Sequence, residues 1–242
     1  MKNLYETRLF EDRKIYIYND IKDSQGLLFI INDGAMIKNI ENNIFQKLEE
    51  NLENIMVVFV DSHDRFAEYT PWEHKSTVNN VDYYKGQGDE YLSFILGPML
   101  EEIEKVYGLS FSKKNIFLGG SSLGGLIASY GLFEYADQLG GGIFVSSSYW
   151  YGGFIDYLEA KDISLEGKII YMDVGDLERP GRTTMGKDII KETQKVFDVF
   201  LNKQIDPENI RFILQEKMGH NQSFFIDRIY DAIIWISRDR RI

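Results

Sequence analysis

The chain contains no cysteine. This excludes a thiol nucleophile, a thiolate metal site and a disulfide framework. Long apolar runs are also missing, since no stretch approaches the roughly 20 residues of a membrane-spanning helix. The segment from Met1 to Arg8 lacks the apolar core of a secretory signal. From these absences we expect a cytoplasmic protein without a membrane partner.

Basic residues are scarce relative to acidic ones. Lys and Arg number 27 against 38 Asp and Glu, and the formal net charge is −11 at pH 7. Because nucleic acids and anionic lipids attract an excess of Lys and Arg, we expect no nucleic-acid partner. We interpret the charge as a source of solubility. The oligomeric state stays open, with a homodimer among the alternatives.

Proline is rare as well, with 4 residues, and no repeat, low-complexity tract or linker divides the chain. We therefore expect one α/β domain over residues 1–242. Short apolar runs predict strands buried on both faces of a parallel sheet. They are residues 27–31, 55–60, 115–118, 142–145, 168–172 and 210–214. The alternating segment Arg13 to Tyr18 predicts an antiparallel strand at one edge.

Helical patterns alternate with these runs. Apolar residues recur near the helical period within residues 91–106, 189–201 and 226–236, and Pro98 predicts a kink or a break in the first stretch. The alternation predicts a mostly parallel, twisted sheet with helices on both faces and a site at the carboxyl ends of the strands. The connection from Ser146 to Lys168 is short for a crossover, so we expect an open cleft without a large lid.

One serine lies in a glycine-rich turn between a predicted strand and a predicted helix. The run Gly120-Ser121-Ser122-Leu123-Gly124 matches G-x-S-x-G, and its context predicts the nucleophile elbow of an α/β-hydrolase fold. Ser122 is then the nucleophile, with Ser121 as a rival at an x position. A phosphate-binding loop is the other alternative, although no Lys follows the glycines.

A serine nucleophile needs a base, and the chain has 3 histidines. Only His220 follows Ser122, as the order serine, acid, histidine of this fold requires. We therefore expect His220 to be the base. His63 and His74 are interpreted as loop histidines near the rim.

The acid is expected in the loop after the strand of residues 168–174. Asp176 and Glu178 are both candidates there, and either could instead be solvated or paired with Arg179 or Arg182. Asp173 lies within the strand and is less suitable. The role of the acid is to hold the imidazole in the correct tautomer and to stabilise the imidazolium.

An oxyanion hole needs two backbone N–H groups. One is expected from Leu123, directly after the nucleophile at the start of a helix. The other is expected from the loop after the strand of residues 27–31, around Asp33, Gly34 and Ala35. Each such donor stabilises the transition state by roughly 3 kcal/mol.

These segments together resemble an esterase family of the α/β-hydrolase superfamily that includes enterochelin esterases, feruloyl esterase domains, S-formylglutathione hydrolases and mycolyltransferases. The resemblance runs from about Leu27 to Trp235. It rests on residues 31–34 (INDG), 65–72 (RFAEYTPW), 120–124 (GSSLG), 146–150 (SSSYW), 175–178 (GDLE) and 219–221 (GHN). Relatives usually have the acid three residues after the glycine that ends the strand, so the resemblance favours Glu178 over Asp176.

The resemblance also implies ester substrates, no metal or other cofactor, and a Trp150 that lines the acyl or alcohol pocket, with ordinary core packing as the alternative. The aromatic segment that contains Trp72 is expected to form one wall of the cleft. We interpret Arg65 and Glu68 as an ion pair beneath the site.

The resulting hypothesis is a serine carboxylesterase that hydrolyses a small-molecule ester through an acyl-enzyme on Ser122. Acyl transfer to another acceptor, a serine peptidase and a non-catalytic binding module are the alternatives. The natural ester stays open among siderophore, sugar acetate, feruloyl and thioester substrates.

Overall fold

The computed structural model describes residues 5–39, 41–76, 81–178 and 188–239. Its strands are β1 (Tyr5–Phe10), β2 (Arg13–Asn19), β3 (Leu27–Asn32), β4 (Ile55–Val60), β5 (Glu73–Lys75), β6 (Tyr83–Lys85), β7 (Ile116–Ser121), β8 (Gly141–Val145), β9 (Ile169–Gly175) and β10 (Ile210–Gln215). Its α-helices are α1 (Glu41–Asn51), α2 (Arg65–Glu68), α3 (Gly88–Leu96), α4 (Pro98–Tyr107), α5 (Leu123–Glu134), α6 (Phe154–Ala160), α7 (Ile189–Asn202) and α8 (Gln222–Asp239). Short 3-10 helices span Gly34–Asn39, Lys113–Asn115, Ala136–Gln138 and Pro207–Asn209.

An eight-stranded sheet forms the centre of the fold, in the order β1-β2-β4-β3-β7-β8-β9-β10. Neighbouring strands from β4 to β10 pair in parallel, which confirms the parallel sheet predicted from the apolar runs. Strands β5 and β6 form a separate antiparallel pair. The carboxyl ends of the parallel strands therefore meet at one edge of the sheet.

The prediction for the Arg13–Tyr18 segment is partly wrong. Strand β2 is antiparallel to β4 as expected, but it is not the edge, because β1 pairs along its other side. Residues of β1 are almost all exposed, so this strand has no apolar alternation that would reveal it.

Both faces of the sheet are covered, and the alternation of side chains along β3 shows how. Leu28 and Ile30 pack in one core cluster with residues of α3 to α7. Phe29 and Ile31 point the other way, into a second cluster with α1 and α8. Because successive strand residues face opposite sides, a strand that is apolar throughout must be buried on both.

Two further expectations concern the connections. Pro98 is the first residue of α4, and α3 ends directly before Gly97, so the predicted break is confirmed. The connection from β8 to β9 contains one helix of 7 residues, α6, as its length suggested. Within the described ranges, no helix combines the length and the apolar character needed to cross a membrane.

Candidate active site

Ser122 lies in the turn between β7 and α5 and has a strained backbone. Its φ and ψ are 55° and −121°, a conformation that non-glycine residues rarely adopt. The turn is tight, because a Cβ on Gly120 would lie 2.6 Å from the carbonyl carbon of Gly124. Ser121, the rival nucleophile, is 1% exposed and places its Oγ 3.8 Å from the Met36 sulfur. The turn thus presents Ser122 and packs Ser121 into the interior.

His220 reaches this turn from the segment between β10 and α8. Its Nε2 lies 2.9 Å from Ser122 Oγ, although the two residues are 98 positions apart in the chain. The edge of the His220 ring packs against Phe225, and the side chain is 20% exposed. His63 is 52% exposed and lies 3.9 Å from a carboxylate, whereas His74 belongs to β5, so the loop interpretation of His74 is wrong.

Glu178 is the loop carboxylate that contacts the histidine. Its Oε2 lies 2.7 Å from His220 Nδ1, and its Oε1 accepts hydrogen bonds from the Gly175 N–H at 2.9 Å and from Ser146 Oγ at 2.5 Å. Burial acts to raise the pKa of Glu178, but these hydrogen bonds and the charge of His220 outweigh burial and lower that pKa. The carboxylate is therefore held in its ionised form.

Asp176 makes no comparable contact. Its N–H donates to the Gln215 carbonyl, and its Oδ1 has no hydrogen-bond partner in the described part of the chain. Arg179 and Arg182, the proposed partners of the loop acids, lie outside the described residues. The geometry thus joins Glu178, and not Asp176, to His220.

Sequence reasoning missed an ion pair next to Glu178. Asp173 and Arg228 have side chains that are 0% and 3% exposed, and Arg228 Nε donates to Asp173 Oδ2 over 2.9 Å. Arg228 Nη2 also donates to Ser146 Oγ over 2.8 Å. The available signal was an arginine among the buried apolar residues of α8, since a buried guanidinium needs a buried acceptor.

The two segments expected to supply oxyanion donors are neighbours. Leu123 is the first residue of α5, and Gly34 and Ala35 open the 3-10 helix that follows β3. A Cβ on Gly124 would lie 2.6 Å from Asp33 Oδ2, so the two segments are in close contact. The first N–H groups of a helix have no partner within it, which leaves such groups free for a ligand.

The expected Arg65–Glu68 ion pair is wrong. Arg65 lies 3.3 Å from Asp33, while Glu68 pairs with Arg13 of β2 at 2.7 Å. The physical reason is that two other charges, Asp33 and Arg13, are buried nearby and need counter-charges. Burial raises the pKa of Asp33 and Arg65 opposes that shift, but the net direction is upward.

The two tryptophans have different surroundings. Trp150 lines a cleft of about 390 Å³ between α6 and the start of α7, and its buried indole N–H has no hydrogen-bond partner among the described residues. Trp72 donates its indole N–H to the Gly152 carbonyl and packs against the rings of Tyr151 and Phe154. Trp72 thus packs within an aromatic cluster. In the part of the chain that the structure describes, no group of three or more His, Asp or Glu could hold a metal ion.

Comparison with known proteins agrees with this architecture. No family model matches the chain. An uncharacterized protein of Bacillus subtilis, YbbA, is 22% identical over 188 residues, which cover 78% of this chain and 75% of that protein. The siderophore hydrolase EstB from Aspergillus nidulans superposes with a TM-score of 0.76 at 16% identity, over 100% of this chain and 97% of EstB.

Two bacterial structures are similar as well. The IroE-like serine hydrolase from Shewanella oneidensis has a TM-score of 0.73 at 17% identity, over 98% of this chain and 81% of that one. The enterobactin esterase FES from Shigella flexneri has a TM-score of 0.76 at 17% identity, over 98% of this chain. This chain spans about 60% of the length of FES.

The chain has an α/β-hydrolase fold, which confirms the fold predicted from the elbow and the strand pattern. These neighbours also fit the esterase resemblance.

Proposed function

We propose that the protein is a serine carboxylic ester hydrolase that works through an acyl-enzyme on Ser122. The observation that carries this proposal is one continuous hydrogen-bonded chain. It runs from Ser122 Oγ through both ring nitrogens of His220 to Glu178, with distances of 2.9 and 2.7 Å. The strained turn at Ser122 and the likeness to solved esterases support the same function.

The chemistry follows from the direction of these hydrogen bonds. With a proton on Nδ1 donated to Glu178, the free Nε2 of His220 accepts the Ser122 proton as the hydroxyl attacks the ester carbonyl. The buried carboxylate stabilises the imidazolium that forms. His220 then protonates the leaving alcohol, and a water activated by the same imidazole releases the acid.

The oxyanion of the tetrahedral intermediate needs donors that are already in place. We assign one to the N–H of Leu123 and the second to Gly34 or Ala35, at the start of the adjacent 3-10 helix. Fixed donors of this kind lower the barrier because they need no reorganisation during the reaction.

The substrate is proposed to be a small-molecule ester that enters an open cleft. Because EstB is named a siderophore hydrolase and FES an enterobactin esterase, we propose siderophore esters as candidates. We propose Trp150 as a substrate contact because it lines the cleft beside α6 and follows closely on Ser148, whose Oγ lies 3.3 Å from Ser122 Oγ. We assign no substrate contact to Trp72, whose indole N–H is already bonded to Gly152.

Hydrolysis of p-nitrophenyl acetate tests the proposal. Ser122→Ala is expected to lower kcat by at least about 10³-fold, because the nucleophile is lost. Ser121→Ala is the matched control, since it removes the neighbouring hydroxyl that faces Met36, and it is expected to keep most of the activity. Activity that survives in Ser122→Ala would refute the assignment.

A further inference from the structure

The Asp173–Arg228 ion pair lies directly beside Glu178. Arg228 comes from α8 and Asp173 from β9, the strand whose end leads into the Glu178 loop. The guanidinium binds the Asp173 carboxylate through Nε at 2.9 Å and through Nη2. Its remaining nitrogen, Nη1, lies 3.8 Å from Glu178 Oε1. One cation thus faces two buried carboxylates and is directed mainly at Asp173.

Ser146 connects this ion pair to Glu178. Its Oγ accepts a hydrogen bond from Arg228 Nη2 at 2.8 Å and donates one to Glu178 Oε1 at 2.5 Å. Because a guanidinium can only donate, it directs the single hydroxyl proton of Ser146 toward the carboxylate. Ser146 has a φ of 44°, a strained value at the end of β8 that places it at this junction.

The cluster is balanced for a protonated histidine. While His220 is neutral, two carboxylates share one guanidinium and leave one negative charge uncompensated. When His220 accepts the Ser122 proton, the cluster becomes neutral. Because charges interact strongly where water is excluded, transfer of this proton removes the net charge of a buried cluster.

We propose that Asp173, Arg228 and Ser146 are positioning residues that orient the Glu178 carboxylate toward His220. Asp173 holds the planar fork of Arg228 and keeps it from binding Glu178 in a bidentate manner, which would draw that carboxylate away from the imidazole. Ser146 fixes the second oxygen of the carboxylate. This inference rests on the proposed function.

Other titratable or charged groups also face the cluster. Tyr171 of β9 contacts Asp173 at 3.4 Å, and Asp231 of α8 and Arg211 of β10 act on this region through charge. Gln215 of β10 donates to Asp173 over 3.1 Å, and the Phe225 ring lies 5.7 Å from the Arg228 guanidinium. These groups stay in place in every variant below, so differences between variants report the mutated charges.

The test compares pH profiles of kcat/KM for Arg228→Met and Asp173→Asn. The acid limb is the fall of kcat/KM at low pH, where the proposed His220–Glu178 pair takes up a proton. Arg228→Met removes a nearby positive charge, so proton uptake is favoured and the limb is expected to move to higher pH. Asp173→Asn removes a nearby negative charge, so the limb is expected to move to lower pH. Both variants are expected to lose about tenfold in kcat, with KM within about twofold, which corresponds to roughly 1.4 kcal/mol.

Opposite movements of the acid limb would not follow from a structural role alone. Limbs that stay in place, or that move in the same direction, would overturn the proposal. Lys105→Met is the control, because Lys105 is an exposed cation on α4, and its profile is expected to equal that of the unmodified protein.

Arg228→Met could fail to fold, since it leaves buried carboxylates without their cation. Ser146→Ala keeps the ion pair and decides the matter in that case. It is expected to lose about tenfold in kcat/KM and to move the acid limb to higher pH. A Ser146→Ala profile like that of the unmodified protein would overturn the inference.

The same measurements separate the two proposals. Retained activity in Ser122→Ala would overturn both of them. If Ser122→Ala is inactive but the Arg228, Asp173 and Ser146 variants behave as the unmodified protein does, only the positioning role fails.

Discussion

Asn32 Nδ2 donates a 2.8 Å hydrogen bond to the carbonyl oxygen of Gly124. Asn32 is the last residue of β3, and Gly124 lies in the first turn of α5. On its other side, Asn32 Oδ1 accepts a 2.6 Å hydrogen bond from the Tyr91 hydroxyl. The fully buried Asn32 side chain therefore connects the end of β3, which precedes the 3-10 helix at Gly34, to the turn that presents Ser122.

Asn32→Ala is expected to lower both activity and stability. It leaves the buried Tyr91 hydroxyl without its acceptor and releases the Gly124 carbonyl, at a cost of about 1–3 kcal/mol in the free energy of unfolding. Because the proposed oxyanion donors then lose their fixed spacing, kcat is expected to fall more than KM changes. Urea unfolding and p-nitrophenyl acetate kinetics measure the two effects.

Tyr91→Phe is the control for that variant. It removes the bond to Asn32 Oδ1 and leaves the bond to Gly124, so it is expected to keep a larger fraction of kcat. Equal losses of kcat in the two variants would contradict a specific role for the Asn32–Gly124 bond.

The choice of acid is tested by a matched pair of amide substitutions. Glu178→Gln is expected to reduce kcat by about 10⁴-fold, the order seen when a triad carboxylate becomes an amide, because the wrong imidazole tautomer is then favoured. Asp176→Asn is expected to keep activity, since Asp176 does not contact His220. A loss confined to Asp176→Asn would show that the loop acid is misassigned.

The stability of the protein should depend on pH through Glu178. Burial acts to raise the pKa of Glu178, but hydrogen bonds and the charge of His220 lower it in the folded state. The unfolded chain then binds more protons below about pH 4.3, the ordinary value for Glu, so this contribution is lost as pH falls through the folded-state pKa. The unfolding free energy of Glu178→Gln is expected to fall less steeply there, as urea unfolding from pH 6 to pH 3 would measure.

Asp33 provides a comparison of opposite sign. Burial raises the pKa of Asp33 even though Arg65 is close, so the folded state binds more protons than the unfolded chain above about pH 3.9. The free energy of unfolding then falls as pH rises through that window. Asp33→Asn lacks this titrating group, so its stability is expected to increase relative to that of the unmodified protein over the same range. Parallel curves for the two proteins would rule out this linkage.

Two glycine substitutions test the tightness of the turn. A Cβ on Gly120 would lie 2.6 Å from a backbone carbon, so Gly120→Ala is expected to displace Ser122 and abolish activity. Gly219 adjoins His220, yet a Cβ there would meet nothing within 4 Å in the described structure, so Gly219→Ala is expected to stay active. Esterase assays on folded protein compare them, and an inactive Gly219→Ala would show that the His220 segment is more constrained than the structure indicates.

Much of the fold was predictable because its signals are local. Each parallel strand is a short apolar run, and the break at Pro98 and the turn at Ser122 are written in a few consecutive residues. The juxtaposition of Ser122 and His220 was also predictable, since the chain order of the fold left one histidine in a suitable place. Between Asp176 and Glu178, spacing alone could not decide, and the resemblance favoured the residue that contacts His220.

What escaped prediction depends on contacts between distant segments. Strand β1 has few buried residues, so only its pairing with β2 defines it. Arg228 and Asp173 are 55 positions apart, and no local sequence pattern indicates that they form an ion pair. Arg65 and Glu68 were paired by proximity in the chain, whereas the structure pairs each with a buried charge from another element.

The most direct test of the central claim is to treat the protein with a fluorophosphonate and to locate the adduct by peptide mass spectrometry. The expected result is a single adduct on Ser122, lost in Ser122→Ala and strongly slowed in His220→Ala. An adduct on Ser121, or on Ser148, whose Oγ lies 3.3 Å from Ser122 Oγ, would contradict the account, as would unchanged labelling without His220.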